Sequence, residues 1–179
     1  CRETLGRLLQ EEGRVDVLVN NAGITRDGAF KRMAPDQWFE VIHTNLCSLY
    51  NVTQPLFDAM CEQRDARIIN ISSVNGQKGQ FGQVNYSAAK AGMLGFTKAL
   101  AAEGARFGVT VNAIAPGYTA TPMVEAIRSD ILDSIKADIP MRRLAKPEEI
   151  AAAVAFLASE AGAYITGETL AINGGLYMK

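Results

Sequence analysis

Four short apolar, β-branched runs punctuate the chain: 15–19 (Val-Asp-Val-Leu-Val), 67–71 (Arg-Ile-Ile-Asn-Ile), 109–114 (Val-Thr-Val-Asn-Ala-Ile) and 169–172 (Thr-Leu-Ala-Ile). Each gives way to Gly, Asn, Ser or Pro, as a buried strand ending in a loop does. Longer segments with apolar positions at helical spacing lie between them. One starts near Pro35 and passes through Trp38, Phe39, Ile42 and Leu46 toward Met60, with Pro55 expected to bend it or mark a packing point. A second covers 84–106 and stops at Phe107-Gly108, and a third covers roughly 123–137. A fourth opens at Pro147-Glu148-Glu149, with Pro in the first turn and acids at the positive end of the helix dipole. Strands alternating with long helices predict an α/β fold, a parallel sheet covered by helices on both faces. No internal repeat or low-complexity linker divides the 179 residues, so a single domain over 1–179 is expected.

In such sheets ligands bind beyond the carboxyl ends of the strands. The polar clusters fall there: Asn20-Asn21-Ala22-Gly23 after the first run, Ser72-Ser73 after the second, and Pro116-Gly117-Tyr118-Thr119-Ala120-Thr121 after the third. A composite site is the consequence.

Charge narrows the choice of partner. With 18 basic and 19 acidic residues and a net charge of −1, composition gives no reason to expect nucleic acid or an anionic membrane. No apolar run approaches the length needed to span a bilayer. Cys1, Cys47 and Cys61 are widely separated, and with one histidine, His43, they make no zinc set, so no metal is expected. The thiols read as buried or half-buried groups in a reducing cytosol, and His43 as a packing or surface residue. Residues 1–9 carry neither an initiator Met nor a signal-peptide pattern and read as the middle of an amphipathic helix. The expectation is that the chain begins part-way through a longer protein.

Tyr86 and Lys90 carry the candidate chemistry. A phenol is a weak acid near neutrality, with an unperturbed pKa of about 10. An ammonium one helical turn away shares its face and can stabilise the phenolate. Ser73, thirteen residues earlier at a strand end, offers a second hydroxyl for a substrate oxygen. The spacing alone fits a Tyr packed on a Lys stem equally well.

Taken in order, Asn20-Asn21-Ala22-Gly23, Asn45, Ser73, Tyr86-x-x-x-Lys90, Pro116-Gly117 with Thr121, and Asn173-Gly174-Gly175 resemble the short-chain dehydrogenase/reductase family along essentially the whole chain. The stretch 72–83 and the tail after Asn173 are most similar to the family's acetoacetyl-CoA reductase branch, which serves polyhydroxybutyrate synthesis, with the related 3-oxoacyl-acyl-carrier-protein reductases as the alternative. The resemblance implies a Rossmann-type doubly wound sheet whose first three strands and Gly-rich phosphate loop precede this chain. Without them the fragment is expected to be inactive, and the first strand to expose an apolar edge.

The resemblance also implies roles. Tyr86 is the general acid, Lys90 lowers its pKa and holds the nicotinamide ribose, and Ser73 polarises the carbonyl. Asn45 holds a water for proton relay, although an Asn inside a helix can simply bond nearby backbone. Cofactor contacts fall on Asn20, Ala22 and Gly23, otherwise an ordinary turn, and on Pro116, Gly117 and Thr121, where Pro122 replaces the family's common acidic residue. Asp27, Gln80, Gln83 and Tyr118 are implicated near the acyl or pantetheine portion of an acyl-CoA thioester, with Phe81 as apolar contact. Loop solubility for the four, and a place in the core for Phe81, are the plain alternatives. The helix near 123–137 is expected to act as a lid. NADPH is the implied cofactor, with NADH open, and a cytoplasmic homotetramer packed through the helices at 35–60 and 84–106 is the implied assembly. An inactive fragment or non-catalytic scaffold is the competing class.

Overall fold

A computed structural model describes residues 1–125 and 127–178. Ala126, inside the expected lid helix, and Lys179, at the end of the expected tail, lie outside the described residues. Strands β1 (Val17–Asn20), β2 (Ala66–Ile71), β3 (Val109–Pro116) and β4 (Thr169–Ile172) form one parallel sheet in the order β1-β2-β3-β4. Val17 pairs with Arg67, Ala66 with Val109 and Ala113 with Thr169. This is the parallel α/β architecture of Rossmann-type folds.

The helices are α1 (Arg2–Glu12), α2 (Pro35–Ile42), α3 (Ser48–Gln63), α4 (Val74–Lys78), α5 (Val84–Gly104), α6 (Pro122–Glu125), α7 (Ser129–Asp138) and α8 (Pro147–Ala158). On one face of the sheet Leu56 and Met60 of α3 and Ala101 of α5 pack with Ile68 and Val111. On the other, Leu157 of α8 packs with Ile69 and Ile114. β2 and β3 are therefore buried on both faces, which explains their nearly continuous apolar sequences.

Three boundaries depart from the periodicity. The strand expected from Val15 starts at Val17, because the Gln63 side chain takes both backbone groups of Val15, accepting from its N–H at 3.0 Å and donating to its C=O at 2.9 Å. The helix from Pro35 passes through Pro55 but is interrupted by a π-turn at His43–Cys47. The helix expected near 123–137 is two helices, parted at Arg128, whose extended backbone (φ −52°, ψ 140°) cannot continue α6. Of the thiols, Cys47 and Cys61 are half-buried as expected, whereas Cys1, preceding α1, is exposed. His43 is exposed and stacks on Phe39 with ring centroids 6.0 Å apart.

Candidate active site

β2 ends at Ile71, and the two serines that follow take different tasks. Ser73 caps α4, its Oγ accepting from the backbone N–H of Asn75 at 3.1 Å, which leaves the hydroxyl proton free to be donated. Ser72 donates its hydroxyl to the backbone carbonyl of Lys90 at 2.8 Å. Gly76 closes the same contact, since a Cβ there would lie 2.7 Å from the Lys90 carbonyl carbon. The start of α4 is thus seated on the backbone of Lys90.

On α5, Tyr86 and Lys90 share a face. Lys90 is 3 % exposed, and its Nζ lies 5.7 Å from the Tyr86 ring centroid while donating to the carbonyl of Ile71 at 2.7 Å. Asn45 sits in the π-turn, fully buried. Its Oδ1 accepts from Ile24 N–H at 2.8 Å and its Nδ2 donates to Ile24 C=O at 2.9 Å. That clamp carries Gly23 to Lys90, where an added Cβ would stand 3.4 Å from Nζ and 3.5 Å from Asn45 Oδ1. Such π-turns are rare and recur at functional sites, and Asn45 is the buried residue of this one.

Burial dominates the electrostatics. It pushes the Tyr86 phenol above its ordinary range, a hydrogen bond with Ser73 pulls it back, and the charge of Asp27 raises it again. Burial also lowers Lys90 to about 8. The Tyr86 phenol is displaced upward on balance, with burial the largest cause, while the Lys90 ammonium donates to Ile71 C=O.

Ser73, Asn75 and Tyr86 line a cleft of about 420 Å³. Asp27 and Gln83 line it too, as do Gly117, Tyr118 and Thr121. Val124 and Ile127, from the segment expected to act as a lid, also border it. Pro116 instead lines an adjoining apolar groove of about 560 Å³ with Ile71 and α8. Other expected residues sit outside this cleft lining. Asn20 donates its amide to Asn70 Oδ1 at 2.9 Å and Thr53 Oγ1 at 3.2 Å, a buttress between β1 and β2. Gln80 accepts from Lys78 at 2.9 Å, outside the cleft lining. Phe81 is 90 % exposed, neither cleft wall nor core. Ala22 is exposed in the loop after β1. Asn75 and Thr25 were absent from the expected set; for Asn75 the available signal was its place two residues after Ser73.

A parallel sheet with a serine, tyrosine and lysine gathered beyond its strand ends defines a Rossmann-type oxidoreductase site. A family model described as enoyl-(acyl carrier protein) reductase matches residues 1–177, and the chain belongs to the short-chain dehydrogenase/reductase family, NAD(P)-dependent oxidoreductases acting on a carbonyl/alcohol pair. It is 70 % identical over 167 residues to an acetoacetyl-CoA reductase of Acinetobacter sp. (strain RA3849), covering 93 % of this chain and 67 % of that protein. It is 61 % identical to nodulation protein G of Azospirillum brasilense, covering 98 % and 72 %. Against a 3-oxoacyl-acyl-carrier-protein reductase of Vibrio harveyi the identity is 50 %, again covering 98 % and 72 %.

Proposed function

We propose that this protein reduces acetoacetyl-CoA to 3-hydroxybutyryl-CoA with NADPH, a step of polyhydroxybutyrate synthesis. The observation that carries the reading is the cleft in which the Ser73 hydroxyl and the Tyr86 phenol face one space. The 70 % identity to an acetoacetyl-CoA reductase supports the substrate. Gly23 stands beside Lys90 and Asn45, and its lack of a side chain permits close approach of a dinucleotide to the backbone there. Asn20, Ala22, Gly23, Pro116, Gly117 and Thr121 are the residues assigned to hold it.

Bound there, the reduced nicotinamide supplies the hydride. Ser73 donates a hydrogen bond to the carbonyl oxygen as negative charge builds on it. Tyr86 gives that oxygen its proton, and its raised pKa keeps the acid form filled at neutral pH. Lys90 would hold the ribose, and Asn45 would order the water that returns the proton. Tyr118, Asp27, Gln80, Gln83 and Phe81 are assigned to the acyl-CoA side. A cytoplasmic homotetramer packed through α2–α3 and α5 is the assembly carried by this reading, and the exposed aromatics Phe39 and Tyr50 offer apolar surface on α2 and α3 for such packing. No helix among the described residues is long and apolar enough to cross a membrane.

Loss of reduced-nicotinamide absorbance with acetoacetyl-CoA tests the reading, run with NADPH and NADH and with an acetoacetyl-acyl-carrier-protein. Tyr86→Phe is expected to lower kcat at least about a hundredfold. Faster turnover of the carrier-protein substrate would transfer the assignment to that reductase class. Absence of turnover on either would support the inactive-fragment reading.

A further inference from the structure

Asp27 and Gln83 reach the cleft wall with their polar groups already engaged. Gln83 Nε2 donates to Asp27 Oδ2 at 2.9 Å, and Gln83 Oε1 accepts from Asn75 Nδ2 at 2.9 Å. This run of bonds ends at α4, where the Asn75 backbone N–H donates to Ser73 Oγ. Three separate segments are joined: the loop after β1, the N-cap of α5 and the first turn of α4. Gly28 N–H, donating to Gly82 C=O at 2.8 Å, ties the first two together beside the side chains.

An ionised carboxylate only accepts hydrogen bonds. Asp27 therefore requires the NH₂ end of Gln83, which turns the Gln83 oxygen toward Asn75 and requires the NH₂ end of Asn75 in turn. Asn75 Oδ1 is left buried with no partner among the described residues. Turning the Asn75 amide over would set oxygen against oxygen, so the unpaired acceptor is a consequence of the carboxylate two residues along the run of bonds. Asn75 is 7 % exposed, and water does not substitute freely for its partners.

We propose that Asp27, Gln83 and Asn75 form a hydrogen-bond relay of fixed polarity that positions the N-terminus of α5, and so Tyr86, against Ser73. They are positioning residues, acting through Tyr86 and Ser73. Gln83 occupies the cap of the helix that bears Tyr86, and its carbonyl accepts the first helical bond, from Ser87 N–H at 2.7 Å. The inference rests on the reductase reading for its kinetic readout and narrows the substrate role given above to Asp27 and Gln83.

Polarity supplies the test. Asn75→Asp places an acceptor against Gln83 Oε1, and turning Gln83 over only moves the conflict to Asp27. Asp27→Asn alone still offers an acceptor and keeps the relay. In the double variant the whole run can reverse: the carboxylate now at position 75 accepts from Gln83, and Gln83 accepts from the amide now at position 27. Expected kcat with acetoacetyl-CoA falls about tenfold or more in Asn75→Asp, and the double variant recovers to within about threefold of Asp27→Asn alone. Substrate contact by Asp27 predicts the opposite pattern, a raised KM in Asp27→Asn and a double variant worse than either single. A double variant no faster than Asn75→Asp overturns the relay. Side-chain amide exchange of Gln83, followed by NMR in the same four proteins, reads the relay without turnover: protection lost only in Asn75→Asp supports it, and equal exchange in all four sinks it. A parent that ignores acetoacetyl-CoA yet shows that protection pattern defeats the substrate reading and leaves the relay standing.

Discussion

At the scale of single residues, the site holds its two ionisable groups in their uncharged direction by burial. Lys90 ordinarily titrates at 10.5 and is lowered to about 8. Between those values the unfolded chain binds more protons than the folded one, so stability rises with pH across that window. Below it Lys90 is charged in both states, and the full desolvation cost is present. The shift corresponds to about 3 kcal/mol. In urea titrations the parent should gain roughly that much relative to Lys90→Met between pH 8 and 10.5; a constant difference would refute burial as the cause. Asn45 makes the complementary case. Its amide satisfies both backbone groups of Ile24. Asn45→Ala should cost about 2–3 kcal/mol by the same titration, since two polar groups lose their partners. Asn45 was legible as a candidate from its motif context, but its clamp was not, because Ile24 lies 21 residues away in sequence.

At the scale of elements, α4 and α5 meet through glycine. Gly76 allows α4 to approach the backbone of Lys90, where a Cβ would be 2.7 Å from one carbonyl carbon and 3.0 Å from the Ala91 nitrogen. Backbone atoms cannot swing aside as a side-chain tip does. Gly76→Ala should therefore destabilise by about 1–3 kcal/mol and lower kcat as Lys90 is displaced. Gly95, also in α5, has nothing within 4 Å of an added Cβ. Gly95→Ala should raise stability by about 0.5–1 kcal/mol, through helix propensity alone. Thermal unfolding of the two variants checks both signs. The contrast also shows what a sequence conveys about elements. The four strands and α5 were plain in apolar spacing because burial sets that spacing. The π-turn was hidden because a run such as His43-Thr44-Asn45-Leu46-Cys47 keeps the outward look of a helix. The break at Arg128 was hidden for the opposite reason: the polar residues around it read equally as a solvated helix face.

At the scale of the whole molecule, local spacing and long-range partnering separate. The gathering of Ser73, Tyr86 and Lys90 follows from strands ending in polar loops, a rule that needs no knowledge of contacts, whereas strand order and the two cores rest on long-range pairing. Asp27 and Gln83 were legible as site residues but not as each other's partners, since 56 residues separate them. The expected apolar edge depends on this larger scale too. β1 stands at the end of the sheet order, and Val17 and Val19 are each 40 % exposed. The outer side of β1 pairs with no strand among the described residues, and Val19 also lines the apolar groove beside α8. A short parallel edge with β-branched side chains and free backbone groups is a template for further pairing. The 179-residue chain should therefore self-associate with rising concentration. Val19→Lys should suppress this, because a charge at the edge must be desolvated for any strand to dock. Light scattering over a concentration series compares the two. Equal scattering would place the association elsewhere, with the exposed aromatics of α2 and α3 as the next surface to alter, whereas suppression by one lysine assigns it to the edge of β1.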